Sequence, residues 1–251
     1  MAPLALVHGN PETGAVWDHL APSLEAAGRD LVRLSPPGFG APVPPGFQAT
    51  PAGYRDWLIG ELERFGEPAD ILGHDWGGVF VLLAVIGRPD LFRSWASDAV
   101  GVLHPGYEWH ELARMWQTPQ AGEAWVQRTL DAPRADLASL LVSRGMAAPI
   151  ADRVAPGFDA AMGGCILGLY RAARQPVMAE LGRDLPAAGR RPGLAIIACD
   201  DGNVGTLAQR QEARRTAGAA AVEIDGGHWW MTSGDQEAVL SALTDLWTRA
   251  G

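Results

Sequence analysis

The chain reads as an α/β fold in which a mostly parallel sheet, covered on both faces, is interrupted by a block of helices. Three observations predict it. Over the first hundred residues, short apolar runs of strand length alternate with segments of helical period, which is the pattern of a parallel sheet with helical crossovers. From His104 to Arg190 no strand-like run occurs, and every periodic segment has helical spacing. Strands then resume and an amphipathic helix closes the chain. With 251 residues, 47% of them hydrophobic, a large core can be buried. The predicted organisation is therefore residues 1–103 and 191–251 as two parts of one core, with residues 104–190 inserted between them as a helical cap.

In order, Leu4-Ala5-Leu6-Val7 is a buried strand stopped by His8-Gly9-Asn10-Pro11. Thr13 to Ala27 reads as one helix with Val16, Trp17, Leu20 and Leu24 on its apolar face. Leu31 to Leu34 is the second strand, followed by a proline- and glycine-rich loop from Ser35 to Pro51. Gly38-Phe39-Gly40 in that loop does not continue into a dinucleotide-binding turn, because Val43 holds the third glycine position and prolines block a following helix. Tyr54 to Phe65 is helical, with Leu58, Leu62 and Phe65 as its stripe. Ala69, Ile71 and Leu72 mark the third strand, and the run from Gly78 to Ile86 marks the helix after it. Ser94 to Val100 is the fourth strand, Leu194 to Ala198 the fifth and Ala221 to Ile224 the sixth. Val239, Leu240, Leu243, Leu246 and Trp247 form the apolar face of the last helix.

Composition excludes several function classes. A formal charge of -9 argues against nucleic acid or an anionic membrane as partner. All 20 basic residues are arginine, so a lysine Schiff base, a P-loop lysine and a Ser-Lys dyad are ruled out. Cys165 and Cys199 read as small buried hydrophobes rather than a disulfide pair. No targeting segment and no apolar run of membrane-spanning length is visible, so a cytoplasmic protein is expected. His110-Glu111 begins an H-E-x-x-H pattern, but Arg114 stands in the fifth position and no metal site follows. Oligomeric state is not readable.

The stretch that carries chemistry is Gly73-His74-Asp75-Trp76-Gly77, a strand, a sharp turn and a helix with an aspartate at the apex. It has the layout of a nucleophile elbow with Asp75 where a serine would stand. Polar groups also follow three other strands: His8-Gly9-Asn10, Asp200-Asp201 and His228. In open α/β sheets such loops beyond the carboxyl ends of the strands build the active site. The order nucleophile, acid, histidine completes a triad.

With His8-Gly9-Asn10-Pro11, Gly73-His74-Asp75-Trp76-Gly77-Gly78, Gly226-Gly227-His228 and the helical insertion, the chain resembles an α/β-hydrolase of the haloalkane dehalogenase and epoxide hydrolase branch. The resemblance spans nearly its whole length and implies the α/β-hydrolase fold. Relatives usually carry further strands before the H-G-x-P loop, so the sheet should be trimmed at its N-terminal edge. An aspartate nucleophile is ionised without help at neutral pH, and it would form an alkyl ester on Asp75. His228 would activate the water that cleaves this ester, and backbone N–H groups of Asn10 and Trp76 would hold the oxyanion. For the acid partner, the family's G-x-x-D pattern selects Asp201, with Asp200 and Asp98 as the other candidates. His8 and His74 are expected to support their loops, and His19, His104 and His110 to have no role.

What leaves from the carbon separates the two enzyme classes. The resemblance makes the Asn10 amide and the Trp76 indole a halide-binding pair, which puts haloalkane dehalogenation first. Epoxide hydrolysis is the alternative: such enzymes use two cap tyrosines, of which Tyr170 matches one while Met115 occupies the other position. A non-catalytic ligand-binding member of the fold is the reading from another class. Trp109 and the other cap tryptophans predict an apolar pocket over Asp75 for a small apolar organic substrate, with water as co-substrate and no cofactor.

Overall fold

The computed structural model describes residues 2–233 and 236–251. Six strands form one sheet: β1 (Leu4–Val7), β2 (Leu31–Leu34), β3 (Ala69–Gly73), β4 (Phe92–Ser97), β5 (Gly193–Ala198) and β6 (Ala220–Ile224). Their order is β2-β1-β3-β4-β5-β6 and every neighbouring pair is parallel. Every residue of β1, β3 and β5 is buried, which is why, apart from Asp70 in β3, these strands are continuous apolar runs rather than alternating ones. The edge strands β2 and β6 are only partly covered.

Two expected elements differ in detail. The helix read over Thr13–Ala27 is two pieces, a 3-10 turn at Gly14–Trp17 and helix α1 at Ala21–Ala26. Pro22 is the reason: it lacks an N–H and is tolerated only in a first turn, so a new helix must begin beside it. The fourth strand runs Phe92–Ser97, two residues earlier than its expected start and three short of its expected end. The Ser97 hydroxyl accepts the Ala99 N–H, turning the chain, and Asp98 therefore lies just past the strand rather than inside it.

Helix α2 (Pro51–Glu63) is capped by the Thr50 side chain on Gly53 N–H, and Pro51 fills the first turn. Helix α3 (Trp76–Gly87) follows β3 directly and is buried from Trp76 to Val85, so it is apolar around its whole circumference. It packs against β3, β4 and α2. Between β4 and β5 no strand occurs among the described residues. The segment consists of α4 (Glu111–Gln117), α5 (Ala121–Asp131), α6 (Arg134–Ser143), α7 (Ala148–Val154), α8 (Ala160–Ala172), α9 (Val177–Leu181) and a 3-10 stretch at Gly182–Arg190. Its buried residues, among them Trp116, Leu137, Ile150, Phe158 and Ile166, join the core of the sheet in one continuous cluster. Helices α10 (Leu207–Thr216), α11 (Trp230–Ser233) and α12 (Gln236–Ala250) complete the chain. No described helix is long and apolar enough to cross a membrane.

Candidate active site

Asp75 sits at the apex of the β3–α3 turn with φ 50° and ψ -127°, a left-handed conformation that is costly for any residue with a Cβ. The turn closes only because its flanks are glycine. A Cβ on Gly77 would lie 2.2 Å from the Val7 carbonyl oxygen, and one on Gly73 would lie 2.6 Å from the Gly77 carbonyl oxygen. The carboxylate is aimed across the end of the sheet. Its Oδ2 accepts the Asn10 N–H from the loop after β1 at 3.1 Å, and the Trp76 N–H also favours its ionised form. Its Oδ1 lies 3.9 Å from His228 Nε2. Burial raises its pKa to about 6 against the opposing pull of His228.

His228, after β6, directs Nδ1 at Asp201 Oδ2 across 2.9 Å, and Asp201 is fixed in turn by the Asn203 N–H at 2.8 Å. Burial works against charge on both groups, yet their mutual attraction dominates. It holds Asp201 down at about 2 and lifts His228 to about 9. Asp200 is exposed and Asp98 is engaged elsewhere, so Asp201 is the carboxylate that contacts His228.

Asp98 belongs to a buried chain beneath the elbow. Its Oδ1 accepts the Asp75 backbone N–H at 2.9 Å, and its Oδ2 accepts from His74 Nδ1 at 2.6 Å and from the Trp230 indole at 2.8 Å. His74 Nε2 reaches Glu12 Oε1 at 3.0 Å, and Glu12 also takes the Trp229 indole N–H at 2.5 Å and the Gly9 N–H at 3.3 Å. Burial alone would neutralise His74, but Glu12 and Asp98 raise its pKa well above the ordinary value. The same pairing outweighs burial at Glu12 and holds it at about 2. Donor atoms of Glu12, His74 and His228 lie within 4.8 Å of one another, a spacing a metal could use. Both His74 nitrogens are already taken by carboxylates, so the cluster is a hydrogen-bonded brace that ties the β1, β3 and β4 loops to α11. His8 supports the same loops through the Gly9 carbonyl oxygen at 2.9 Å and the Ser35 hydroxyl at 3.1 Å.

A family model matches residues 4–242, and its description is the alpha/beta hydrolase family. The chain belongs to that family. Among proteins similar to this chain in sequence is Probable oxidoreductase EphD of Mycobacterium tuberculosis, 39% identical over 101 residues, which are 38% of this chain. The match spans only 17% of that protein's own length. Among solved structures, a candidate epoxide hydrolase from Pseudomonas aeruginosa superimposes with a TM-score of 0.77 at 19% identity, covering 99% of this chain and 89% of that one. The haloalkane dehalogenase DbeA from Bradyrhizobium elkani gives 0.73 at 21% identity, covering 99% and 91%. At such identities these two show the fold alone.

In this chain a cavity of 290 Å³ opens above Asp75, and Asn10, Tyr170 and His228 line it. Tyr170 stands edge-on to Trp76 with ring centroids 5.5 Å apart. Burial and then the Asp75 charge push the Tyr170 pKa well above its ordinary value, so the phenol stays protonated. Trp76 itself is 2% exposed, stacked on Trp109 at 5.6 Å, and does not line the main cavity. Both side-chain atoms of Asn10 are buried without a partner among the described residues. Asn10 lines the main cavity, and Trp76 lines the smaller recess beside Asp75. Trp109 donates its indole N–H to Ala173 and lines only that recess, while half-buried Met115 reaches neither.

The wall is also less apolar than the cap tryptophans led one to expect. His110, Arg144 and Asn203 line it beside Trp116. His110, expected to be idle, accepts the Ala113 N–H on Nδ1 at 3.2 Å as the N-cap of α4, which places its proton on Nε2. Burial, helped by the charges of His228 and Arg144, lowers its pKa to about 4 and keeps the ring neutral. A capping histidine before a helix was the one readable signal for it. Nothing in the linear sequence marks Arg144.

Proposed function

We propose that this chain is a hydrolase that opens small epoxides through a covalent ester on Asp75, with residues 104–190 as the cap that closes the site. The observation that carries this reading is Tyr170: its protonated phenol lines the same cavity as Asp75, with its ring edge-on to Trp76 at 5.5 Å. Asp75 Oδ1 attacks a ring carbon while Oδ2 stays with the Asn10 N–H. The C–O ring bond breaks, and its electron pair stays on the departing oxygen, which takes the Tyr170 proton. His110, neutral and protonated on Nε2, is a second donor in the same wall, where the sequence offers only Met115.

Water then adds to the Asp75 ester carbon as His228 removes its proton. The oxyanion forms on Oδ2, between the N–H groups of Asn10 and Trp76. Collapse of this intermediate releases the diol, protonated by His228, and the acid proton left on Asp75 returns to Tyr170. One carboxylate oxygen of Asp75 has by then come from water. Asp201 holds the His228 ring and supports its charge throughout.

Dehalogenation is the second reading, favoured by the unpartnered Asn10 amide. His228→Ala blocks ester cleavage in either case, so intact mass after incubation with terminal epoxides and with 1-haloalkanes separates them. An epoxide adds its whole mass, and a haloalkane adds its mass less the hydrogen halide. Adducts from epoxides that are lost in Asp75→Asn support the proposal. Adducts from haloalkanes alone transfer it to the second reading, and adducts from neither remove the covalent mechanism.

A further inference from the structure

The wall of the Asp75 cavity holds neutral hydrogen-bond donors beside its carboxylates. The side-chain amide of Asn10 and the indole N–H of Trp116 are both buried there without a partner among the described residues. Neutral His110 adds an Nε2–H to the same wall. Buried donors left unsatisfied are costly, and they mark the places where a ligand supplies what the protein does not. Of the acceptors nearby, Asp201 is committed to His228 and Asn203 and Asp75 Oδ2 to Asn10 N–H, while Asn10 Oδ1 has no partner among the described residues and the Asp200 carboxylate is exposed.

The same wall carries a cation. Arg144 is the residue that ends α6, and Gly145, with φ 104°, turns the chain away immediately after it. Its side chain lines the cavity, and its charge reaches His110 closely enough to lower that ring's pKa. No ion pair or side-chain hydrogen bond engages the Arg144 guanidinium among the described residues. An arginine at a helix C-terminus is ordinary on dipole grounds, but that role places no demand on which way the side chain faces. The negative charges on the same lining are Asp75 on the cavity floor, Asp201 paired with His228, and exposed Asp200 on the rim.

Given the Asp75 ester mechanism, on which this step rests, we infer that the substrate is a small organic acid. Its carboxylate is taken by Arg144 at the cavity mouth while its epoxide carbon lies over Asp75. A molecule of formal charge -9 repels anions at long range, and the approach to an ionised nucleophile adds to that repulsion. The exposed guanidinium of Arg144, unpaired among the described residues, offsets both locally beside the neutral donors, and it selects acids over neutral isosteres. The volume of 290 Å³ restricts the acid to a small one.

Glycidate and glycidamide share a skeleton and differ in that charge, so they form the test. The intact enzyme is expected to favour glycidate, and Arg144→Gln to lose roughly tenfold in kcat/KM for glycidate, mostly through KM, and much less for glycidamide. Arg144→Lys should recover part of the loss, and added salt should erode the preference for the acid. Calorimetric binding of glycidate to Asp75→Asn, compared with the same variant carrying Arg144→Gln, reads the charge pair without any turnover. Equal handling of acid and amide, or glycidate binding indifferent to Arg144, overturns the inference and leaves the Asp75 mechanism standing. If His228→Ala gains mass from neither probe, the Asp75 mechanism falls. The binding comparison then still decides whether Arg144 selects a carboxylate.

Discussion

At the scale of single residues, the two half-reactions are timed by charges that change as the reaction proceeds. Asp75 attacks only as a carboxylate, and its folded pKa is raised to about 6, first by burial. Ester formation is therefore complete above that value and falls tenfold per unit as pH drops through it, which rapid-quench mass spectrometry of the ester reads directly. His228 is among the groups that lower the Asp75 pKa, so in His228→Ala the midpoint should move upward. An unmoved midpoint would show that the two side chains are not coupled as their 3.9 Å separation suggests. His228 begins as an imidazolium, raised to about 9 chiefly by Asp201 and in part by Asp75. Esterification removes the Asp75 charge, so the His228 imidazolium releases its proton to solvent through the cavity and is neutral when it takes a proton from water; it regains one from solvent once the Asp75 carboxylate is restored. The Tyr170 hydroxyl belongs to the first step only. Tyr170→Phe should slow ester formation from epoxides by about 10²- to 10⁴-fold, the span of a general acid, and leave cleavage of a formed ester unchanged.

At the scale of elements, the elbow depends on backbone approaching backbone. Helix α3 starts one residue after Asp75 and lies against the end of β1, with Gly77 facing the Val7 carbonyl oxygen. Gly77→Ala would place a methyl 2.2 Å from that oxygen, with no flexible side chain to give way. It should cost about 1–3 kcal/mol in chemical denaturation and shift Asp75 off the Asn10 N–H, so activity per folded molecule falls as well. A stability loss with full activity would mean the elbow adjusts without moving its apex. This part of the site was legible because it is local: a short strand, a glycine-flanked aspartate and an apolar helix are consecutive in the chain. His228 and Asp201 were legible for a related reason, since each directly follows a strand of fixed direction. The Glu12–His74–Asp98 brace was not, because its partners are 62 and 24 residues apart and no pattern names them as neighbours. Nor were His110 and Arg144, which reach the cavity because of how α4 and α6 lie over the sheet. Helical period shows which face is apolar, but not which end hangs over a distant strand. The split of Thr13–Ala27 turned on Pro22 outweighing a continuous apolar stripe.

At the scale of the whole molecule, the parallel sheet has two chemically different ends. Reacting groups collect where the strands finish, and an ionic clamp sits where they begin. Asp70, early in β3 and fully buried, takes the Arg29 guanidinium at 2.5 Å, the Arg93 guanidinium at 3.0 Å and the Ser94 hydroxyl at 2.6 Å. Arg29 follows α1 and lies over the Trp247 ring of α12 at 4.2 Å, while Arg93 donates to the Gly251 carbonyl oxygen at 2.8 Å. One carboxylate thus ties the first helix, two central strands and the last helix together. Asp70→Ala would leave Arg29, with its side chain 3% exposed, as an uncompensated buried charge, a change that typically costs about 3–5 kcal/mol. The five residues from Asp70 to Asp75 span roughly 16 Å along an extended strand, and the Asp75 brace draws on none of the clamp's groups. The expected result is a large fall in the urea midpoint with kcat and KM unchanged for the molecules that remain folded. Loss of turnover in step with stability at temperatures well below unfolding would mean instead that strain at one end of β3 reaches the elbow at the other.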